Sequence, residues 1–312
     1  MKAGLPRGGP PRRARDGGKP MLEQCIANLG PDLCGLIAAL PVPPVRIEQI
    51  TRQASNLDVR GSFRLDFAAP GPAPGHGRVI KARRFDSATK AAAAAELRHR
   101  LAAPFLPRVL AQHGDGMLEQ WIEGRVLSAE GVTLEQCGEA GRMLGSLHGS
   151  SPKSGRDGLP LNMTGWLERV REHLRLLAEA GVISGERMAR IEQAAIGCVP
   201  ARVTVGVVHR DWCPENLVID ESPGSGRMHC IDNGTLTLGV IEEDLARLRY
   251  RWPMSDVQQA AFAVGYGEHR DPACLSERGL FWTIAVLTSA ARYRLPNGAE
   301  AAEIMARLGQ AQ

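Results

Sequence analysis

The chain has 312 residues, 44% of them hydrophobic and 4% aromatic, and a formal net charge of +4. That length exceeds one minimal core and suits one large domain or two lobes, and the apolar content excludes a disordered chain. The charge excess is local: MKAGLPRGGPPRRARDGGKP, residues 1–20, carries six Lys or Arg against one Asp. Without it the chain is close to neutral, so these residues read as a disordered, solvated basic tail, and neither a nucleic-acid nor a membrane partner is expected. Seven cysteines, odd in number, widely spaced and without C-x-x-C, argue against a disulfide framework or a zinc site. No apolar signal segment follows the basic start, and the apolar runs fall short of a membrane span, so a cytoplasmic protein is expected.

Residues 21–40 have loose helical spacing with a break at Gly30-Pro31. From 45 to 123 the pattern is strand-like. VRIEQIT is followed by GSFRLDFA with alternating apolar positions, the turn-forming APGPAPGHG, and RVIKARRF. SATKAAAAAELRHRLA is a helix with Ser87 as candidate N-cap. RVLAQHG and GMLEQWIEG are two further strands meeting at Gly114–Gly116. Beyond Gly124 the chain turns mainly helical. TLEQCGEAGRMLGSLHG sets Leu134, Cys137, Ala140, Gly141, Leu144 and Leu147 on one stripe. Charged amphipathic helices are expected over 165–181 and 185–197, and helices again over 241–250, 255–265, 274–293 and 299–309. Between these sets, strands return at VTVGVVHRD and at LVID and MHCID. The expected fold is α+β in two lobes, a β-rich N-lobe over 21–123 and a mainly helical C-lobe over 124–312, with a crevice at Glu119–Gly124.

NLVID-ESPGSGR-MHCID reads as a hairpin, two short apolar strands around a loop with Pro and glycines. A hairpin brings its ends together at about 4.8 Å between strands. Asn216 begins the first strand, Asp232 ends the second, and Asp211 lies five residues before Asn216. Three side-chain oxygens therefore converge at one mouth. Few hard oxygen ligands with room for more suit Mg²⁺ shared with substrate phosphates. Phosphoryl transfer needs such an ion and a separate carboxylate to orient the attacking hydroxyl. An Asx turn and a strand cap are the alternative for each residue taken singly.

With H-R-D-x-x-x-x-N over 209–216, IDNGTLTLGVIEEDLARL, GRMLGSLHG, MLEQWIEGRVL and AAFAVGYG, the chain over roughly 45–295 resembles the aminoglycoside phosphotransferase and choline kinase-like family, relatives of protein kinases. The resemblance implies a bilobal protein-kinase-like fold, Asp211 as catalytic base, Asn216 and Asp232 as Mg²⁺ ligands, and ATP as phosphate donor. It implies that Lys81 reaches the nucleotide phosphates with Glu96, on the Ala-rich helix, holding its ammonium. Adenine should meet the Gln120 carbonyl and the Ile122 amide, leaving Trp121 to pack. The phosphate loop RQASNLDVRGS lacks G-x-G-x-x-G, so Ser55 and Asn56 are its candidates. Asn233 stands where a bulkier residue is usual and should alter the packing under the metal loop. His209 and Asp244 are expected to bond the loop backbone, and Cys213 to be a small buried residue.

Too few residues separate Asp232 from Asp244 for a peptide-docking activation segment, and no A-P-E follows. The helices over 165–197 suit a lid over a small acceptor. A small molecule with a hydroxyl group is therefore the expected partner. Glu242 and Glu243 are the one acidic cluster near the site, and nearly balanced charge elsewhere disfavours a highly cationic antibiotic. A catalytically inactive nucleotide-binding pseudokinase and a protein kinase are the competing readings.

Overall fold

The structure is a computed structural model and describes residues 18–50, 61–69, 78–150, 159–160, 163–222, 224–270 and 279–310. The chain separates into two compact units, one of residues up to Ala92 together with Val109–Trp121, the other of Ala93–Arg108 and Ile122 onward. The division thus falls at Trp121/Ile122, two residues before the expected one, and the second half of the Ala-rich helix groups with the second unit.

Among the described residues the first unit holds helix α1 (Gly18–Ala38) and strands β1 (Arg46–Gln49), β2 (Gly61–Asp66) and β3 (Val79–Arg84). Helix α2 (Ala88–Leu101) then leads to β4 (Val109–His113) and β5 (Gly116–Gln120). The strands form one antiparallel sheet in the order β1-β2-β3-β5-β4. α1 breaks where the Gly-Pro pair requires it, Gly30 taking φ +73°. Alternation along β2 buries Phe63 and Leu65, which join Ile80, Ala82 and Leu118 against Leu29, Leu33 and Ile37 of α1. Neighbouring residues of β3 point the other way, so Lys81 and Arg83 lie on the face opposite that core. α2 starts at the expected cap: Lys90 N–H donates to Ser87 Oγ at 3.3 Å.

In the second unit β6 (Gly124–Val126) leads to α3 (Leu134–Gly149) and the short β7 (Leu159–Pro160). Helices α4 (Thr164–Glu179) and α5 (Gly185–Gly197) precede β8 (Arg202–Val203) and β9 (Val205–Val208). Next come β10 (Leu217–Asp220), β11 (Met228–Cys230) and β12 (Thr237–Val240). Four helices follow: α6 (Ile241–Arg251), α7 (Asp256–Gly267), α8 (Gly279–Tyr293) and α9 (Gly298–Gln310). One core joins α3, β9, the β10–β11 hairpin, α6 and α7; a second joins α4, α5, α8 and α9. The expected strand VTVGVV is split into β8, which pairs with β7, and β9, which pairs with β12. β12 was not foreseen: the alternating TLTLGV sits inside a motif read for its I-D, Gly and D-L-A order and not for its alternation. Among the described residues no helix is long and apolar enough to cross a bilayer.

The α3–α7 crossing rests on small residues. Gly138, Gly141 and Gly145 recur at i, i+3 and i+7, one face of a helix. A Cβ on Gly265 of α7 would stand 1.9 Å from the Gly138 carbonyl oxygen, and one on Gly141 would stand 2.1 Å from that of Phe262. Both neighbours are backbone and cannot rotate away. Gly265→Ala is therefore expected to push the helices apart and to cost about 2–3 kcal/mol, read as a lower urea midpoint with an unchanged slope. An unchanged midpoint would show that the crossing yields freely. The close approach sets Tyr266 of α7 against His148 at the end of α3, which leads to the candidate site.

Candidate active site

Four segments of the second unit meet around His209. β9 runs apolar and buried into His209, after which Arg210 takes φ +68°, a left-handed conformation unusual for a residue with a side chain. Asp244, 1% exposed in the first turn of α6, holds that bend. Its Oδ2 accepts the His209 N–H at 2.8 Å and its Oδ1 the Arg210 N–H at 2.6 Å. Oδ2 also lies 3.1 Å from Nε2 of His148, whose Nδ1 is 2.8 Å from the Tyr266 hydroxyl. Burial alone would raise the Asp244 pKa. The His148 hydrogen bond and charge, with the His209 amide, outweigh it and hold the carboxyl below its ordinary value. A carboxylate only accepts, so Nε2 of His148 carries the proton. Asp244 arrives there because β12 pairs with β9 from Thr237↔Val208 to Val240↔Val205, returning the chain beside the strand that ends at His209.

The expected structural role of His209 is met in full. Burial, against the pull of Asp244, Asp211 and Asp232, lowers its pKa. Nδ1 accepts the Asp211 N–H at 3.3 Å, so the neutral ring is protonated at Nε2, which lies 3.2 Å from Asn233 Oδ1 and 3.2 Å from Cys230 Sγ. Its carbonyl accepts the Thr235 hydroxyl at 2.7 Å.

Beyond the bend, Asp211 is half-buried and held from two sides. Asn216 Nδ2 donates to the Asp211 carbonyl at 2.8 Å and to its Oδ2 at 3.1 Å. Arg251, the last residue of α6, brings Nε to 3.1 Å from Oδ1. The expected hairpin forms, with Leu217 opposite Cys230 and Ile231 N–H donating to the Asn216 carbonyl at 2.8 Å, but its strands are shorter than expected: Asn216 ends the turn before β10, and β11 stops at Cys230. Asp232 lies two residues beyond β11, exposed and at φ +60°, at the head of the turn Asn233–Thr235. Asp211 and Asn216 are therefore in direct contact, and Asp232 follows Ile231, whose backbone is bonded to that of Asn216. A third strand steadies the hairpin, β6 pairing with β10, and Gly124 is needed there because a Cβ would stand 2.0 Å from the Ile219 carbonyl oxygen. Among the described residues no cluster of three or more His, Cys, Asp or Glu side chains is disposed to hold a metal. A Mg²⁺ shared with phosphates does not require one, since one or two protein oxygens suffice. The Asn216 amide fits that donor set: both its bonds use Nδ2, so Oδ1 is turned away from them.

Cys213 is buried as expected, and burial pushes its thiol up to about 12, far from a reactive thiolate. Arg251 Nη2 lies 3.4 Å from its sulfur. Sequence reasoning missed Arg251, because an arginine at a helix end far along the chain carries no local signal of a partner. The acidic pair needs correction. Glu242 is buried and accepts Thr204 N–H and Oγ–H at 2.9–3.1 Å, while Glu243 pairs with Arg247 at 2.9 Å. Both carboxylates are engaged within the fold at the start of α6.

In the first unit Lys81 stands on β3 in register with Glu119 of β5. Glu119 is 3% exposed, and its Oε2 lies 3.8 Å from Arg83 Nε. α2 buries Ala91, Ala94, Ala95, Leu97 and Arg98, whereas the Glu96 side chain is 69% exposed and pairs with Arg100 at 3.7 Å. Ala-rich spacing left the buried face of that helix ambiguous, and Glu96 lies a step round from it. Gln120 ends β5, and Ile122 lies in the short connection before β6. Trp121 packs as expected, under the Arg64 guanidinium at 4.9 Å. Ser55 and Asn56 lie outside the described residues.

These arrangements define a mixed α+β protein of the kinase-like class. The sequence profile of the phosphotransferase enzyme family, APH, matches residues 62–278, and the chain belongs to that family. The fold is similar to that of choline kinase LicA from Streptococcus pneumoniae, at TM-score 0.60 and 16% identity over 88% of this chain and 95% of that one. An ethanolamine kinase of Plasmodium vivax aligns at TM-score 0.56 and 12% identity, covering 81% and 76%. A spectinomycin phosphotransferase solved with ADP and spectinomycin aligns at TM-score 0.57 and 14% identity, covering 88% and 93%. A 58-residue stretch is 38% identical to calcium-dependent protein kinase 6 of Oryza sativa subsp. japonica, 19% of this chain and only 11% of that protein's length.

Proposed function

We propose that the protein is an ATP- and Mg²⁺-dependent kinase that transfers the γ-phosphate to a hydroxyl group of a small molecule. One observation carries the reading: the Asn216 amide ties the backbone and carboxylate of Asp211 to the start of the hairpin whose second strand leads, two residues on, to Asp232. Asp211 receives the proton of the acceptor hydroxyl, with Asn216 and Arg251 fixing the direction of its carboxylate. Asn216 through Oδ1 and Asp232 through its carboxylate hold the magnesium, which neutralises phosphate charge when bound. Family membership supports phosphoryl transfer, and the names of the structural neighbours, kinases of choline and ethanolamine and a phosphotransferase of spectinomycin, support a small acceptor.

The protein-kinase alternative needs a peptide-docking segment after the metal aspartate. Here only a short turn at Asn233–Thr235 and Leu236 precede β12, which is paired to β9 along its length. The inactive alternative is opposed by the polar groups gathered around Asp211. ADP release over a panel of amino alcohols, sugars, hydroxylated natural products, aminoglycosides and peptides, with and without Mg²⁺, tests all three. Release with a small alcohol alone supports the proposal; release with peptides alone, or with nothing while nucleotide still binds, sinks it.

For the nucleotide, Lys81 is the phosphate contact, Gln120 and Ile122 offer backbone groups to the base, and Ser55 and Asn56 belong to the phosphate loop. The carboxylate that steadies Lys81 is Glu119, which lies opposite it and is shielded from water. Glu119→Gln is expected to weaken ATP binding about tenfold, the scale of one lost charge-assisted bond. Glu96→Gln is expected to leave it unchanged in isothermal titration, and the reverse pattern would return the role to Glu96.

A further inference from the structure

Asn233 is the residue after the metal aspartate, and its side chain is 2% exposed. Both ends of its amide are used. Oδ1 lies 3.2 Å from His209 Nε2, and Nδ2 donates to the Cys230 carbonyl at 2.8 Å. Followed outward, the bonds form one chain. It runs from the Asp211 amide to Nδ1 of His209, across the ring to Nε2, through the Asn233 amide, and into the backbone of β11 two residues before Asp232. One end is the loop that carries Asp211; the other is the strand that leads into the turn of Asp232. Each loop also contains a left-handed residue with a side chain, Arg210 at φ +68° and Asp232 at φ +60°, immediately beside the bridge. Such conformations cost on the order of 1–3 kcal/mol and persist only where their surroundings over-determine them. Asp244 and Thr235 fix His209 from the backbone side, so the ring is a rigid post for Asn233 to bind. Cys230 Sγ also lies 3.2 Å from Nε2 but belongs to the same strand as the Cys230 carbonyl and does not reach the Asp232 turn.

We infer that Asn233 is a positioning residue: its amide locks the loop of Asp211 to the turn of Asp232 through His209, and so sets the distance between the base and the metal-binding carboxylate. This rests on the proposed kinase reading. An apolar side chain at 233 could fill the same space but could not fix the ring or the β11 carbonyl. Sub-ångström errors in such a distance are felt strongly, because a displacement of about 1 Å in positioned groups costs roughly a hundredfold in rate.

The test uses Asn233→Leu, His209→Gln and the double variant. In each single variant kcat is expected to fall roughly ten- to hundredfold and the Mg²⁺ requirement to rise, with the KM for ATP at saturating Mg²⁺ changed less than about threefold. Because both act through one bridge, the double variant should lose little more than either single, a coupling that independent packing defects do not give. Additive losses would overturn the proposal. ¹⁵N NMR of the wild-type protein reads the bridge without activity and without relying on the folding of any variant. His209 should show Nε2 protonated and Nδ1 bare, and the opposite tautomer would overturn the assignment. If no acceptor yields ADP with the wild type, the kinase reading fails, whereas the NMR result still decides whether the bridge exists.

Discussion

Asp211→Asn is expected to abolish transfer while leaving ATP bound. The substituted amide keeps the shape of the carboxylate and can still meet Arg251 or Asn216, so the loop should stay in place. It cannot take the proton of an attacking hydroxyl. Loss of a positioned general base costs roughly 10²–10⁴ in rate, and the two existing bonds to Asp211 make the upper part of that range the expectation. ATP affinity by titration should change less than about twofold, because the assigned nucleotide and metal contacts lie on other residues. Turnover within about tenfold of wild type, measured as ADP release with an accepted alcohol, would remove Asp211 from the role of base.

The largest stability effect is expected at Asp244. Asp244→Ala leaves the His209 and Arg210 amides and the His148 ring without their acceptor inside the core. Removing one partner of a buried charged network costs about 3–5 kcal/mol, enough to unfold a marginal domain. The strained bend at Arg210 loses its restraint at the same time, so activity should fall even where the variant stays folded. The pH dependence has a definite sign. The folded-state pKa lies below the ordinary aspartate value of 3.8. The contribution is therefore complete above the unfolded-state value and is lost as pH falls through the folded-state one. The wild-type melting temperature should drop more steeply below about pH 4 than that of Asp244→Asn, a neutral amide of the same shape. Parallel curves would show that another carboxylate governs acid unfolding.

Much of this was legible in the chain because it is local. Gly30-Pro31 broke the first helix where those residues must, Ser87 capped α2, and β10 and β11 paired as the expected hairpin. The backbone-bonding roles of His209 and Asp244 and the burial of Cys213 followed from their places in the motif. The misses have physical causes too. The exposure of Glu96 was not legible, because on an Ala-rich helix small residues on every side hide which face is buried. The burial of Glu242 and Glu243 was not legible either, because charge is visible in a sequence and burial is not. β12 went unread although its alternation is plain.

The sequence by itself determined the elements, the hairpin and the residue types able to bind a hard cation and move a proton, since these depend on spacing within some twenty residues. Only the tertiary structure decided which distant groups complete them: Arg251 on Asp211, Tyr266 behind His148, and Asn233 between the two loops. The reason is that a hydrogen bond depends on position in space to a few tenths of an ångström. Those positions are set by the pairing of β12 with β9 and by the glycine-lined crossing of α3 and α7, contacts between segments that have no local signature of one another.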